Sequence, residues 1–404
     1  MHLDPEIARH VLAQIDESET IALLRRLIQV PSVNPPGDVR EAVAVCEEPL
    51  RSAGFSTRIA QLVPEKPNLI AELGTDSGPI LCLNAHVDVV PTGALSAWTH
   101  PPFAADIVDG RVYGRGAGDD KASVAAQVMA GVALARAGVP LAGRLVITTV
   151  ADEEVGGPAG AALLINQRLV TPDFVIVGEQ TRNRVCVGEK GFASTRVTVH
   201  GRAAHGALPW EGANAIEAMG KVIVALSERL WPLLAQRAHP SFHPSSASIN
   251  LIHGGVKENV VPDRCSIYID RRLIPGEDPA TAIAEIERVA RDAVANLAGI
   301  HVTVEPEGEQ RRATINPPDA PVVQAMVAAN RFLGLSTDLT GFSMATDGRF
   351  FADAGYPTII YGPGDPAVAH IPDEWVGVDE VLAATRAYAL AAVALLGSAA
   401  SQAS

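Results

Sequence analysis

Apolar positions follow two periods along this chain. From about Asp16 to Val30, Ile21, Leu24, Leu27 and Ile28 recur at helical spacing, and Pro31 ends the pattern. The segment Pro31-Ser32-Val33-Asn34-Pro35-Pro36-Gly37-Asp38 reads as loop. A second amphipathic helix is predicted from about Val39 to Ala53, stopping at Gly54. Strands are predicted near Ser56–Ile59, Asn68–Glu72, Ile80–Leu83, Leu145–Val150 and Phe174–Val177, with an Ala/Val-rich helix from about Lys121 to Ala137. Short, wholly apolar runs such as Ile80-Leu81-Cys82-Leu83 suit strands buried on both faces. Alternating strands and helices imply an α/β sheet with helices on both sides.

After Glu189-Lys190-Gly191 the texture changes. Ala193–His200 alternates as a half-buried strand, followed by a helix at about Asn214–Arg229 and strands at Ala247–Ile252 and Cys265–Arg271. A helix at Pro279–Leu297 and a strand at His301–Val304 complete an α+β module. The expected organisation is therefore an insertion at 190–305 between two parts of one α/β domain, 1–189 and 306–404. The helix Pro321–Phe332 and the strand Thr358–Tyr361 belong to the resumed part, and the Ser/Ala tail after Gly397 is expected to fray. If Ala193–His200 is an edge of its sheet, pairing with its copy in a second chain would give a C2 homodimer.

Composition narrows the partners. A chain of 404 residues with 48% hydrophobic and 19% charged residues is globular, and its net charge of −14 argues against nucleic acid and anionic membrane surfaces. Cys46, Cys82, Cys186 and Cys265 are far apart and form no Cys-x-x-Cys pair, as expected for reduced cysteines of a cytoplasmic protein. The polar start Met1-His2-Leu3-Asp4-Pro5-Glu6 carries no secretory signal, and no apolar run is long enough to span a bilayer.

Ligand-type residues follow the buried strands, where open α/β sheets place their sites. His86 and Asp88 come after Ile80–Leu83, Asp152-Glu153-Glu154 after Leu145–Val150, and Glu179 after Phe174–Val177. Asp119 and Asp120 follow Tyr113–Gly118, and His370 lies beyond Thr358–Tyr361 and Gly362-Pro363-Gly364. Alone, His86 reads more readily as a strand-end histidine in a hydrogen bond than as a metal ligand. Together, a His/carboxylate set of this kind suits a co-catalytic pair of metal ions.

These motifs resemble the zinc-dependent family of acetylornithine deacetylase, succinyl-diaminopimelate desuccinylase, aminoacylase and glutamate carboxypeptidase. The resemblance spans nearly the whole chain and rests on His86-Val87-Asp88, Gly114-Arg115-Gly116-Ala117-Gly118-Asp119-Asp120-Lys121, Asp152-Glu153-Glu154, Gly178-Glu179, and Gly362-Pro363-Gly364 before His370. It implies a two-domain metallohydrolase: a mixed-sheet α/β catalytic domain with an inserted dimerisation or lid domain. It further implies two Zn2+ per subunit, replaceable by Co2+ or Mn2+. Asp119 would bridge them, His86 and Glu179 completing one site, Glu154 and His370 the other, with a cis Asp119–Asp120 peptide. Asp88 would orient His86, and Glu153 would be the general base assisting attack by a metal-bound water.

In the insertion, Gly201–Pro209 resembles the segment whose histidine, here His205, polarises the scissile carbonyl in the partner's site. Arg272 and Asn259 would grip a substrate carboxylate, and Thr346 and Gly364 would line the substrate side. The expected activity is hydrolysis of an N-acyl amino acid or related N-acyl amine. A metallocarboxypeptidase or dipeptidase acting on a short peptide is the alternative, and a non-catalytic binding protein of the same fold a third. Two positions depart from the family pattern: Ala122, where many relatives have glycine, and the loop Gly341-Phe342-Ser343-Met344, which matches no particular substrate.

Overall fold

The computed structural model describes residues 3–397; Met1, His2 and the Ser/Ala tail lie outside the described residues. The chain divides into two compact units, 1–188 with 316–404, and 189–315.

The first unit is built on an eight-stranded mixed sheet. Its order is Ser56–Ala60, Asn68–Gly74, Arg144–Val150, Ile80–His86, Phe174–Val177, Thr358–Ile360, Val185–Glu189 and Leu339–Phe342. Arg144–Val150, Ile80–His86, Phe174–Val177 and Thr358–Ile360 are mutually parallel. Their register pairs His86 with Val150, Asn84 with Val177, and Val177 with Ile360, so all four C-terminal ends lie on one side of the sheet, two of them two residues beyond the others. Alternate residues of one strand enter different cores: Leu81 and Leu83 join the larger, Cys82 the smaller.

Helix Lys121–Ala137 is apolar almost all round and buried from Lys121 to Leu134, as befits a helix enclosed by others. Val378–Leu396 packs on it and is buried along most of its length. Among the described residues, no helix is long and apolar enough to cross a membrane. All four cysteines are free and buried.

The second unit is an antiparallel sheet ordered Ser246–Gly254, Arg264–Leu273, Gly191–His200, His301–Arg311. Helices Ala215–Ala225 and Pro279–Val294 cover it through Met219, Val222, Ile286 and Ala290. Two expectations are corrected here. Gly191–His200 is an interior strand, bonded on both sides; the edges are Ser246–Gly254 and His301–Arg311. A period-two pattern reports which face is buried, not how many neighbours a strand has. The return to the first unit also comes later than 305. Strand His301–Arg311 runs through Pro306, which an edge strand tolerates because the missing N–H need not serve a second neighbour. The compact unit ends at Ile315. The helix beginning at Ala215 also changes form at Ala225, passing through a wider π turn, Leu226–Leu230, into Trp231–Ala235.

Candidate metal centre

Beyond these strand ends, five segments bring their side chains together. His86 closes its strand, and its Nε2 lies 3.1 Å from Asp119 Oδ1. His370, on a left-handed backbone (φ 66°), places Nε2 3.0 Å from Asp119 Oδ2 and 3.3 Å from Glu154 Oε2. Each oxygen of Asp119 thus faces a different histidine. Two donor sets share Asp119: His86, Asp119 and Glu179, and Asp119, Glu154 and His370, the donor atoms of each lying within 4.8 Å of one another. The Asp119–Asp120 peptide is cis.

Asp88 contacts more than His86. The nearest acceptor to His86 Nδ1 is the backbone carbonyl of Asp88 at 2.9 Å, with its carboxylate at 3.5 Å. That buried carboxylate accepts the backbone N–H groups of Glu153 and Glu154 and the Asn34 side-chain amide. It therefore fixes the turn carrying both glutamates as well as the imidazole. Glu153 and Glu154 sit in a short 3-10 turn and face different partners. Glu154 faces His370, while Glu153 Oε1 lies 3.8 Å from Arg349 Nη1.

The electrostatics show what this centre lacks. Burial pushes Glu179 well above the usual carboxylate range, with Asp119 and Asp120 adding to it. Burial likewise raises Glu153 and Glu154. Burial opposes ionisation of Asp119, but hydrogen bonds from His370 and His86 hold it well below the ordinary value. Contacts with Asp119 and Glu154 raise His370 to about 10. Buried Glu154 Oε1 has no hydrogen-bond partner. Clustered carboxylates with so little positive charge fit divalent cations, and the two sets supply the nitrogen and oxygen donors that zinc accepts.

One support of the centre was not legible in the sequence. Glu374, fully buried, accepts the N–H groups of Gly118 at 2.9 Å and Asp119 at 3.1 Å and pairs with buried Arg115 at 2.5 Å. Its sequence separation of about 255 residues left no local signal. Asp347, also buried, presents two unpartnered oxygens, and burial raises it to about 7. Thr346 is buried, its hydroxyl accepting the Gly348 N–H, as a turn-forming residue would. Gly364 has φ +92° and faces Gly118 and Gln180. Ala122 is accommodated, fully buried in the first turn of its helix.

The other expected residues belong to the second unit. His205 and Asn259 are neighbours on the two-stranded ribbon joining Ala204–His205 to Val260–Val261. His205 is exposed, and its Nδ1 accepts the Ala207 N–H at 3.1 Å, which leaves Nε2 as the protonated nitrogen of the neutral ring. Arg272 is already engaged by Asp270, through contacts of 2.9 and 3.1 Å. Arg271 is buried against Glu285 and the Ala282 carbonyl.

The family model for peptidase family M20/M25/M40 matches residues 82–394. The chain belongs to this family. It is an enzyme that hydrolyses amide bonds. Among its relatives, the succinyl-diaminopimelate desuccinylase of Hydrogenovibrio crunogenus is 29% identical, covering 92% of this chain and 97% of that protein. The acetylornithine deacetylase of Myxococcus xanthus is 32% identical, covering 82% and 86%. The fold is shared with a dinuclear metal binding peptidase of the M20 family from Bacillus subtilis, at a TM-score of 0.71, 19% identity, and coverage of 94% and 98%.

Proposed function

We propose that this M20 hydrolase is a dizinc deacylase of N-acyl amino acids or related N-acyl amines. One observation carries the reading: two donor sets share Asp119 and lie beside an uncoordinated glutamate, Glu153. His86, Asp119 and Glu179 would hold one ion, and Asp119, Glu154 and His370 the other; Co2+ or Mn2+ would fit the same donors. Such ions supply charge stabilisation for a developing oxyanion and make bound water more acidic. Glu153 takes a proton from the attacking water and returns it to the leaving nitrogen. Asp88 keeps Glu153 and Glu154 in their orientations by accepting their backbone N–H groups. His205, its Nδ1 occupied by the Ala207 N–H and its Nε2 left as the donor of the neutral ring, is suited to donate to the scissile carbonyl oxygen.

The second unit serves as the dimerisation module in this reading. Support comes from its edge strand Ser246–Gly254, which exposes Leu251 and Ile252 and leaves backbone groups for a copy to pair with. His205 would then serve the partner's site. Arg272 would take a substrate carboxylate through the part of its fork that Asp270 leaves open.

The peptidase alternative is kept because the Bacillus subtilis neighbour is described as a peptidase. A panel of N-acetyl, N-succinyl and N-formyl amino acids against dipeptides and N-acylglutamates, run on zinc-reconstituted protein, separates the two. Amine release from the N-acyl amino acids is expected. Release from dipeptides alone would replace the deacylase reading with the peptidase one.

A further inference from the structure

One buried ion pair reaches the main chains of two candidate ligands. Glu374 Oε1 accepts the N–H of Gly118 and that of Asp119, and its Oε2 accepts from Arg115 Nη1 at 2.5 Å. Arg115 Nη2 donates to the carbonyl of His370 at 3.2 Å and reaches that of Pro91 at 3.5 Å. The fork of one arginine thus connects the Asp119 turn, through Glu374, to the backbone of a histidine 255 residues further along the chain. Both side chains are buried, and Arg115 Cζ lies 5.2 Å from the centre of the Trp98 ring.

His370 needs such a hold more than the other ligands do. His86 ends a strand whose register with Val150 fixes it, and Glu154 is anchored by its N–H on Asp88. The His370 side chain is half exposed, and its φ of 66° lies in the left-handed region that residues other than glycine seldom adopt. Neither packing of the ring nor backbone preference keeps its Nε2 at 3.0 Å from Asp119. The bond from Arg115 to its carbonyl does restrain it. A pair so deeply buried is weak evidence of net stabilisation, which leaves the placing of these two segments as its contribution.

Resting on the two-ion part of the deacylase reading, we propose that Arg115 and Glu374 are positioning residues that hold Asp119 and His370 at their mutual distance. They thereby set the affinity for the ion that Asp119, Glu154 and His370 would share. Arg115 acts through His370 on that ion alone.

The test strips the full chain of metal and titrates it with Zn2+ against a chromophoric chelator. In Arg115→Met/Glu374→Gln the glutamine oxygen still accepts the Gly118 and Asp119 amides, no buried charge is stranded, and the donor to the His370 carbonyl is gone. One ion should bind about 10- to 100-fold more weakly than in wild type, and the other within about threefold. Placed in a His370→Ala background, the same pair of changes should alter the affinity for the weaker ion by less than about threefold, since its route of action is already removed. Should the double variant not fold, Arg115→Lys carries the same comparison. It keeps a charge beside Glu374 with one terminal nitrogen for two acceptors, and about a tenfold loss is expected. Both ions weakened alike, neither weakened, or an equal loss in the His370→Ala background overturns the inference and leaves the two-ion reading standing. A wild-type chain that binds fewer than two Zn2+ removes that reading and this inference with it.

Discussion

In the second unit Arg271 is wholly buried, and its terminal nitrogens reach Glu285 at 2.6 Å and the Ala282 carbonyl at 2.8 Å. Arg237 pairs with the same Glu285 and with Glu277, both at 2.6 Å. Burial opposes ionisation of those glutamates, yet bonds to the arginines bring both below the usual range. In the first unit, Glu153, Glu154 and Glu179 are driven the other way. Buried charge is matched within the protein in one unit and left for something else in the other. The matched network is architecture, and the unmatched one is the candidate metal centre.

The sharpest way to test that contrast is Glu153→Gln. It should lower turnover by about 10²- to 10⁴-fold while leaving metal content unchanged, because Glu153 is the general base and not a ligand in this reading. Mixing this variant with His205→Ala under subunit exchange should restore up to roughly a quarter of activity if His205 works across a dimer. Loss of metal together with activity would place Glu153 among the ligands.

Arg271→Ala should come next in effect, costing about 3–5 kcal/mol in urea unfolding because it empties a fully buried position and removes one of the two arginines that pair Glu285. A cost near zero would show that the network is not what holds the second unit.

The smallest effect is expected from Glu179→Gln in metal-free protein. Burial raises the folded-state pKa of Glu179 above its unfolded value. The folded state therefore holds the proton longer, and stability falls as pH rises from the unfolded pKa through the folded one. The glutamine variant should be more stable than wild type at pH 8 without metal, and should lose the benefit that zinc gives the wild type. Equal stability of the metal-free proteins at pH 8 would mean that Glu179 is matched after all.

Much of the fold could be read from local pattern. Lys121–Ala137 and Phe174–Val177 fall at the predicted bounds, since apolar content and flanking Gly or Asp mark them locally. Val378–Leu396 was not anticipated, because a helix buried nearly all round shows little amphipathic period. Strand Val185–Glu189 was missed for a related reason: it is short and buried throughout, with no alternation. In the site, His86, Asp119, Glu154, Glu179 and His370 stood out because each follows a strand or glycine turn. Glu374, Asp347 and Arg349 did not stand out as individual site residues.

By itself, the sequence determined that strands such as Ile80–His86, Arg144–Val150 and Phe174–Val177 are buried, and that histidines and carboxylates close or follow them. These are consequences of local period and of the change from apolar to polar residues, which neighbours in the chain enforce. Tertiary structure alone decided that Gly191–His200 lies inside its sheet, that Glu374 holds the Gly118 and Asp119 amides, and that Asp88 grips the glutamate turn. Those choices depend on hydrogen-bond partners distant in the chain, and no local pattern of side chains encodes which distant group will fill a given lone pair.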